Sequence, residues 1–284
     1  MSAHGMLELW WTVPAGSAVL GYALSLAGLT PAQRAVWVRA RISEVHQPVH
    51  GASRHPGILV TVTFRDPSTG REFVRRNVGR HGDPVEEAWV GRELTVRFPR
   101  GRPERFRVAL HTAEDDSGRG VPNCTVALLL VGLIVHAAVV WGYPWALLGL
   151  GALLSVVTAA GPDLRTVRSR DALLASAPAV PAKVVAVARD VYTDGEGEEV
   201  VTHTPVVCFT THDGADVTVL SRDGVREPRL SLGRELTVHY APSDPAVYAY
   251  DLAAERRSNE RSVGVIIMLF VAGVAATVAG AVLL

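Results

Sequence analysis

Four long apolar runs divide the chain, and the segments between them are polar and rich in arginine. The runs contain no Asp, Glu, Lys or Arg and cover residues 9–29, 124–142, 144–160 and 263–284. Because a helix needs about 20 apolar residues to cross a bilayer, this pattern predicts four transmembrane helices. The middle two runs meet at Gly142-Tyr143-Pro144, a turn signal, and are predicted to form a helical hairpin. A buried helix pair in a soluble core is the alternative, which the lack of any charge in residues 124–160 disfavours.

Two polar segments, residues 33–112 and 178–252, alternate apolar and polar positions in the way that is typical of β-strands. The alternation begins at residues 36–45 and again at 182–191, and turn signals such as DPSTG and HDG separate later strands. Each segment is predicted to hold five short strands, which suit a small closed or half-closed barrel of the oligonucleotide/oligosaccharide-binding (OB) or SH3-like type. The side chains predicted to point into the two cores include Leu94, Val96, Leu236 and Val238.

The two polar segments share a sequence repeat. The hexamer GRELTV occurs at 91–96 and at 233–238, an offset of 142 positions. Further matches at the same offset are Ala40-Arg41-Ile42 with Ala182-Lys183-Val184, and Pro103 with Pro245. A chance hexamer would not extend in one register over so many positions, so the chain is predicted to be a tandem duplication of a span–β-domain–span unit.

The distribution of arginine predicts the orientation, because short loops rich in Lys and Arg stay in the cytoplasm. Residues 1–8 and the 142–144 turn have no Lys or Arg, whereas residues 30–123 and 161–262 contain all 28. Aromatic residues typical of a membrane interface fall at the opposite, outer face: Trp10, Trp11, Trp141, Tyr143 and Trp145. The first run lacks a basic N-terminal region, which favours an uncleaved span over a signal peptide. We therefore expect a multi-pass inner-membrane protein with its N-terminus outside and both β-domains in the cytoplasm.

The charge balance argues against nucleic-acid binding, since 28 Lys and Arg stand against 28 Asp and Glu. The two halves nevertheless differ: residues 30–120 have a net charge of +5 and residues 161–262 a net charge of −4. An acidic loop in the second half contains Glu196, Glu198 and Glu199. Electrostatic docking of the two β-domains through this loop is one hypothesis, and drift after duplication is the other.

Three histidines in one predicted loop are weak candidates for a metal site: His46, His50 and His55. Histidine nitrogens are common zinc ligands, but the loop has no cysteine and only Glu44 nearby. Solvated loop histidines are the preferred interpretation, so no metal and no cofactor is predicted. The cysteines, Cys124 and Cys208, lie in segments of different character and are expected to be unpaired.

One ionisable residue, His136, lies inside a predicted span, and such residues are functional candidates. At a similar depth in the other spans lie Ser17 and Thr277. A neutral histidine that is hydrogen-bonded to one of these hydroxyls is the preferred interpretation. A proton pathway is the alternative, although the spans contain no other ionisable side chain of the kind that it would need.

The stretch LGRELTVHYAPSDP, preceded by FTTHDGADVTV and followed by a span, resembles the bacterial family called domain of unknown function 3592. The second unit fits this pattern better than the first, in which FRDPSTGREF and FPRGRP replace the usual turns. The resemblance implies membrane association and a small β-domain, and it implies no catalytic residue.

These patterns favour a non-enzymatic protein that presents two small β-domains on the cytoplasmic face for protein or ligand binding. The sequence contains no nucleotide-binding loop, no Gly-x-Ser-x-Gly and no His-Glu-x-x-His motif. The expected partners are the lipid bilayer and either another protein or a second copy of the chain. A small transporter or an accessory subunit of a channel, built on the four helices, is the alternative.

Overall fold

The computed structural model describes residues 10–51, 57–77, 82–111, 119–160, 163–195, 197–221 and 224–284. The chain divides into two compact units. The helical unit comprises Met1–Arg34, Ala113–Arg168 and Arg256–Leu284. The β unit comprises Ala35–Thr112 and Ser169–Glu255, so it contains strands from both halves of the chain.

Five long helices lie in the described residues, in the order α1 (Thr12–Leu26), α2 (Gly120–Trp141), α3 (Tyr143–Ala160), α4 (Asp163–Leu174) and α5 (Leu252–Val282). Four helical segments are long and apolar enough to cross a membrane: Thr12–Arg34, Gly120–Trp141, Tyr143–Ala160 and Leu252–Val282. The predicted four apolar helices are therefore confirmed. The sequence did not predict α4. It also placed the start of the last helix at residue 263, because the residues from Leu252 onward are polar but still helical.

The end of α1 is defined by its sequence. Gly28 adopts a left-handed φ of +68°, which stops the helix, and Thr30 then starts a short helical turn, Pro31–Arg34. Thr30 and Gln33 form a capping box, in which the Gln33 N–H donates to Thr30 Oγ1 at 3.3 Å and the Thr30 N–H donates to Gln33 Oε1 at 3.4 Å. The Gln33 side chain also donates to the Ser25 carbonyl at 2.9 Å, so the turn is held against the end of α1.

Small residues allow α3 and α5 to pack closely. A methyl group on Gly151 would lie 2.6 Å from the Gly273 carbonyl oxygen, and one on Gly280 would lie 2.5 Å from the Leu148 backbone nitrogen. Any larger residue at Gly151 or Gly280 would therefore push the two helices apart. Close approach through small residues is how helices associate in lipid, where no hydrophobic effect drives them together.

The first half of the chain contains strands β1 (Ala35–His46), β2 (Leu59–Arg65), β3 (Glu72–Arg76), β4 (Glu87–Ala88), β5 (Glu93–Pro99) and β6 (Arg107–Ala109). The second half contains β7 (Ala179–Thr193), β8 (Glu199–Thr210), β9 (Asp216–Leu220), β10 (Glu235–Ala241) and β11 (Asp244–Ala249). The first sheet has the order β3-β2-β1-β5-β6 and the second β11-β10-β7-β8-β9-β4. Both sheets are antiparallel and one is nearly barrel-shaped, as the alternation predicted. The sixth strand of the second sheet, β4, comes from the first half and was not predicted.

Strands β1, β5 and β6 of the first sheet pair in the same register as β7, β10 and β11 of the second, at an offset of 142 residues. In the first sheet, Arg97 pairs with Trp37 on one side and Arg107 on the other. In the second, His239 pairs with Ala179 and Ala249. The β-bulges agree as well, since they lie between Ile42 and Glu44 in β1 and between Val184 and Ala186 in β7.

The glycine of each GRELTV hexamer supports this register. Gly91 and Gly233 have left-handed φ angles of +95° and +78°, which glycine adopts without strain. The Gly91 N–H donates to the Ile42 carbonyl at 2.8 Å, and the Gly233 N–H donates to the Val184 carbonyl at 2.9 Å. The same turn therefore fixes β5 against β1 in the first sheet and β10 against β7 in the second.

The inward side chains of each sheet form a hydrophobic core. Phe64 and Phe98 lie in the first core, and Phe209 and Tyr240 lie in the second. Three of the four predicted core residues, Leu94, Val96 and Val238, are buried, whereas Leu236 is half-buried and packs against the second core.

Candidate functional site

The two sheets pack against each other through an apolar row on the outer face of the second sheet. Ala186, Val206 and Leu220 are 2%, 0% and 5% exposed, and they join the hydrophobic core of the first sheet. The equivalent row of the first sheet is polar and consists of Glu44, Thr61 and Arg76. The apolar residues give the second sheet a second buried surface, in addition to the core on its inward face.

Backbone hydrogen bonds extend this contact. Strand β4 adds to the edge of β9, and the Leu220 N–H donates to the Glu86 carbonyl at 2.8 Å. The loop after β1 runs along β7, where the Gly51 N–H donates to the Val187 carbonyl at 2.9 Å. Gln47 Nε2 also lies 3.5 Å from Cys208 Sγ, on the second sheet. Apolar burial and main-chain pairing therefore join the two sheets.

The acidic loop, for which docking of the two domains was one of two hypotheses, lies at the turn of the β7–β8 hairpin. Glu198 and Glu199 are exposed there, and Glu196 lies outside the described residues. Within the described part of the chain neither Glu198 nor Glu199 makes an ion pair. A role for these glutamates in docking stays a prediction. The contacts seen between the sheets are apolar packing and backbone hydrogen bonds.

A partly buried ion pair lies where β4 joins the second sheet. Arg92 donates to the backbone carbonyl of Glu87, and its guanidinium lies 3.4 Å from the Glu87 carboxylate. The two side chains are only 15% and 21% exposed, and Arg92 also stacks over the Trp89 ring at 4.8 Å. Burial raises the pKa of the Glu87 carboxyl, and the Arg92 charge offsets part of that rise.

Two tyrosines in and after β11, Tyr248 and Tyr250, pack against the core of the second sheet. Burial raises the pKa of both phenols, so both stay neutral at physiological pH. Arg170 of α4 donates to the Tyr248 carbonyl at 2.9 Å and to a Glu255 carboxylate oxygen at 3.0 Å. These contacts attach α4 and the start of α5 to the second sheet through the backbone of Tyr248.

The two loop histidines that the structure describes, His46 and His50, each contact another polar group. His46 Nε2 lies 2.9 Å from the Thr61 hydroxyl, and His50 Nδ1 accepts from the Val187 N–H at 3.2 Å. His55 lies outside the described residues. No group of three or more metal-ligating side chains occurs in the part of the chain that the structure describes.

The two predicted hydroxyl side chains, Ser17 and Thr277, bond within their own helices. The Ser17 hydroxyl donates to the Pro14 carbonyl at 3.0 Å, and the Thr277 hydroxyl donates to the Gly273 carbonyl at 2.9 Å. His136 is exposed on the surface of α2. The expected bond from His136 to one of these hydroxyls is not seen, because each hydroxyl instead donates to a carbonyl one turn earlier in its helix, as Ser and Thr often do.

The outer face of the first sheet carries a surface that the sequence analysis missed. We call it the basic–aromatic face, and it consists of Trp37, Arg39, Arg97 and Arg107. The Arg97 guanidinium lies 5.4 Å from the centre of the Trp37 ring, and the Arg39 side chain is 89% exposed. The alternation in VWVRAR already places Trp37 and Arg39 on one side of β1. Arg97 and Arg107 could be added only once the strand register was known.

Comparison with known proteins finds no matching family model, and no curated protein or solved structure matches the chain.

Proposed function

We propose that the chain is an integral inner-membrane protein that presents its β unit in the cytoplasm as a binding module. The observation that carries this proposal is the separation of four apolar helical segments from a β unit. The arginines that flank the apolar segments support the orientation with the N-terminus outside.

We also propose that the two sheets arose by duplication of one span–β-domain–span unit, related to the family of domain of unknown function 3592. The common strand order, the common register and the bulges at equivalent positions support this proposal. Sequence identity in GRELTV alone would be weaker support, because a hexamer can recur without a common fold.

Binding, and not catalysis, is the role that the surfaces favour. The outer face of the second sheet is partly used for packing within the chain, whereas the outer face of the first sheet exposes Arg39 and Arg107 beside the half-buried Trp37. Guanidinium and indole groups recognise anionic and aromatic partners without chemical change.

Reporter fusions test the orientation. Gly101 and Gly214 are exposed turn glycines with no atom close to where a side chain would project, so insertions there should leave both sheets folded. A reporter that is active only in the cytoplasm should work at both positions and be inactive when fused after Leu284. Activity after Leu284 with silence at both glycines would reverse the proposed orientation.

A photo-crosslinking amino acid tests the binding role. At Arg41, on the outer face of the first sheet, we expect a specific crosslinked product in native membranes. The matched control is the equivalent Lys183 of the second sheet, where we expect less product. Equal labelling at the two positions, or none at Arg41, would argue against a binding role for the first sheet.

A further inference from the structure

The β7–β8 hairpin is longer than the equivalent β1–β2 hairpin of the first sheet. The β1–β2 ladder ends where His46 pairs with Leu59. His46 corresponds to Ala188 at the offset of 142 residues, and the β7–β8 ladder continues past Ala188 through five more pairs. We call this extension the arm, and it consists of residues 189–193 and 199–203. Within the described residues, β9 and β10 pair only with the part of the hairpin that lies outside the arm.

The arm exposes apolar side chains that belong to neither hydrophobic core. Val191 and Val201 lie opposite each other and are 47% and 39% exposed. On the other face of the arm, Tyr192 lies opposite Val200 and is 54% exposed. A hairpin of two strands is only marginally stable in water, whereas three or more strands with an apolar face are stable. A further strand at the edge of the arm would therefore stabilise it.

The outer edge of β8 along the arm has no strand partner in the described part of the chain. Strand β9 follows β8 only from Thr210 to Val206, and the Ser221 N–H then donates to the Pro205 carbonyl at 2.9 Å. The short 3-10 turn Pro228–Leu230 lies near β8, and within the described residues it forms no backbone hydrogen bond with that strand. An unpaired edge presents N–H and C=O groups at the spacing that another strand needs for pairing.

Other edges of the two sheets carry features that oppose pairing with another chain. The edge strand β3 exposes Arg75 and Arg76, and the edge strand β11 contains Pro245. Charged side chains and proline are the common means by which an edge avoids a further strand. The arm differs from these edges, because residues 200–202 of β8 are Val, Val and Thr. Its edge is therefore suited to pairing.

Charge selects the register in which two copies of this edge would pair. In an antiparallel pair with two-fold symmetry, one residue lies opposite its own copy and its neighbours pair symmetrically. With Val201 on the axis, Glu199 of one chain lies opposite His203 of the other. Arg189 pairs with His203 within each arm, so it adds a positive charge beside that glutamate. Centring the pair on Glu199 would instead place two glutamates opposite each other, which is unfavourable.

We propose that two copies of the chain bind each other through their arms, with the two β8 edges paired antiparallel about Val201. The association forms a four-stranded sheet in which backbone hydrogen bonds cross the interface. Val191 and Val201 of both copies lie in one row on the same face of this sheet. The acidic turn of each arm lies beside the basic part of the other, so a second copy matches this edge in charge. This inference goes beyond the proposed binding role of the first sheet and does not rest on it.

Disulfide formation in the full-length chain tests this register. A Val201→Cys variant in a Cys124→Ser, Cys208→Ala background has a single thiol. Residues opposite each other in antiparallel strands have Cα atoms about 4.5–5.5 Å apart, a distance that a disulfide can bridge. We expect mild oxidation in intact cells to convert most of this variant into a covalent dimer, as non-reducing electrophoresis would show.

Matched variants make the result specific. Val191→Cys in the same background is the control, because Val191 is also exposed and lies opposite Val201 in the same arm. Its two copies are three strand spacings apart in the proposed dimer, about 14 Å, which is too far for a disulfide. Co-expressed Glu199→Cys and His203→Cys variants should form a mixed dimer. Glu199→Cys alone should form far less dimer, since its two copies lie roughly 14 Å apart along the strands.

Two results would overturn the proposal. One is a Val201→Cys chain that remains monomeric after oxidation. The other is equal dimer formation by Val201→Cys and Val191→Cys, which would indicate random collision of the chains. Either result would leave the proposed binding role of the first sheet unaffected, since the arm shares no residue with the outer face of that sheet.

Discussion

The two β-sheets share one backbone pattern and differ on their outer faces. At one end of the sheets, the row Ala186, Val206 and Leu220 is buried, whereas the equivalent row of the first sheet is polar. At the other end, the first sheet has arginines where the second has small or neutral side chains. The comparison teaches that the inward residues and the turns set the strand register. The outward residues then determine which part of a sheet packs within the chain.

Exchanging equivalent outward residues of the two sheets should have the largest effect on stability. Leu220→Arg places a charge at a position that is 5% exposed, which we expect to destabilise the β unit by several kcal/mol. The matched substitution is Arg76→Leu, at an exposed position of β3. Surface substitutions usually change stability by no more than about 0.5 kcal/mol, so we expect a small effect. Urea unfolding of the two full-length variants in detergent, followed by hydrogen exchange in β8 and β9, would measure both. Equal losses would contradict the assignment of this row as the contact between the sheets.

Truncating the leucine of each GRELTV hexamer should reduce stability by a smaller amount. The two losses show how tightly each leucine is packed in its core. Leu94 is 6% exposed, so Leu94→Ala should cost about 2–5 kcal/mol, the usual range for a buried leucine. Leu236 is half-buried, so Leu236→Ala should destabilise the protein clearly less than Leu94→Ala. The shift in the midpoint of urea unfolding gives the ranking. A larger loss at Leu236 than at Leu94 would mean that the second core is packed differently.

The smallest effect concerns pH at the junction of β4 with the second sheet. Burial raises the pKa of Glu87 above its ordinary value of 4.5, so the folded state binds the proton more tightly than the unfolded chain. The stability that protonation of Glu87 contributes is fully present below about pH 4.5. This contribution is lost as the pH rises through the pKa of Glu87 in the folded state.

Glu87→Gln cannot titrate, so its unfolding free energy should change less between pH 4.5 and pH 7 than that of the unaltered protein. An identical profile for Glu87→Gln and the unaltered protein would show that Glu87 is solvated and not buried at the junction.

The strands were predictable because burial on one side of a sheet forces alternation in the sequence. The stretches at 36–45 and 182–191 show this alternation and form β1 and β7. Strand β4 has two residues and pairs with β9, from the other half of the chain, so no local pattern marks it. The polar start of α5 was missed for a related reason, since its residues bury no apolar stripe that would reveal a helix.

The site was less predictable than the fold. Net charge gave docking through the glutamates near residue 198 as one hypothesis and drift as the other, and the contacts that the structure shows come from an apolar row that includes Val206. The row joins residues of β7, β8 and β9, and only the strand register brings them together. Solvated loop histidines were preferred to a metal site, and the rings of the two described histidines, His46 and His50, contact a hydroxyl and a backbone amide.

Crosslinking across the two sheets tests the central claim that they form one unit through the outer face of the second. Gln47 contacts Cys208 in the structure, so Gln47→Cys in a Cys124→Ser background places two thiols close together. A short bifunctional thiol reagent should link them within one chain in native membranes, as peptide mass mapping would show. The control is Arg100→Cys, which follows Pro99 at the far end of β1, roughly 35 Å from His46 along the strand. We expect the Gln47→Cys variant to form the link to Cys208 and the Arg100→Cys variant to form none. If both thiols of the Gln47→Cys variant react with a monofunctional reagent but do not link, the two sheets are not packed as described.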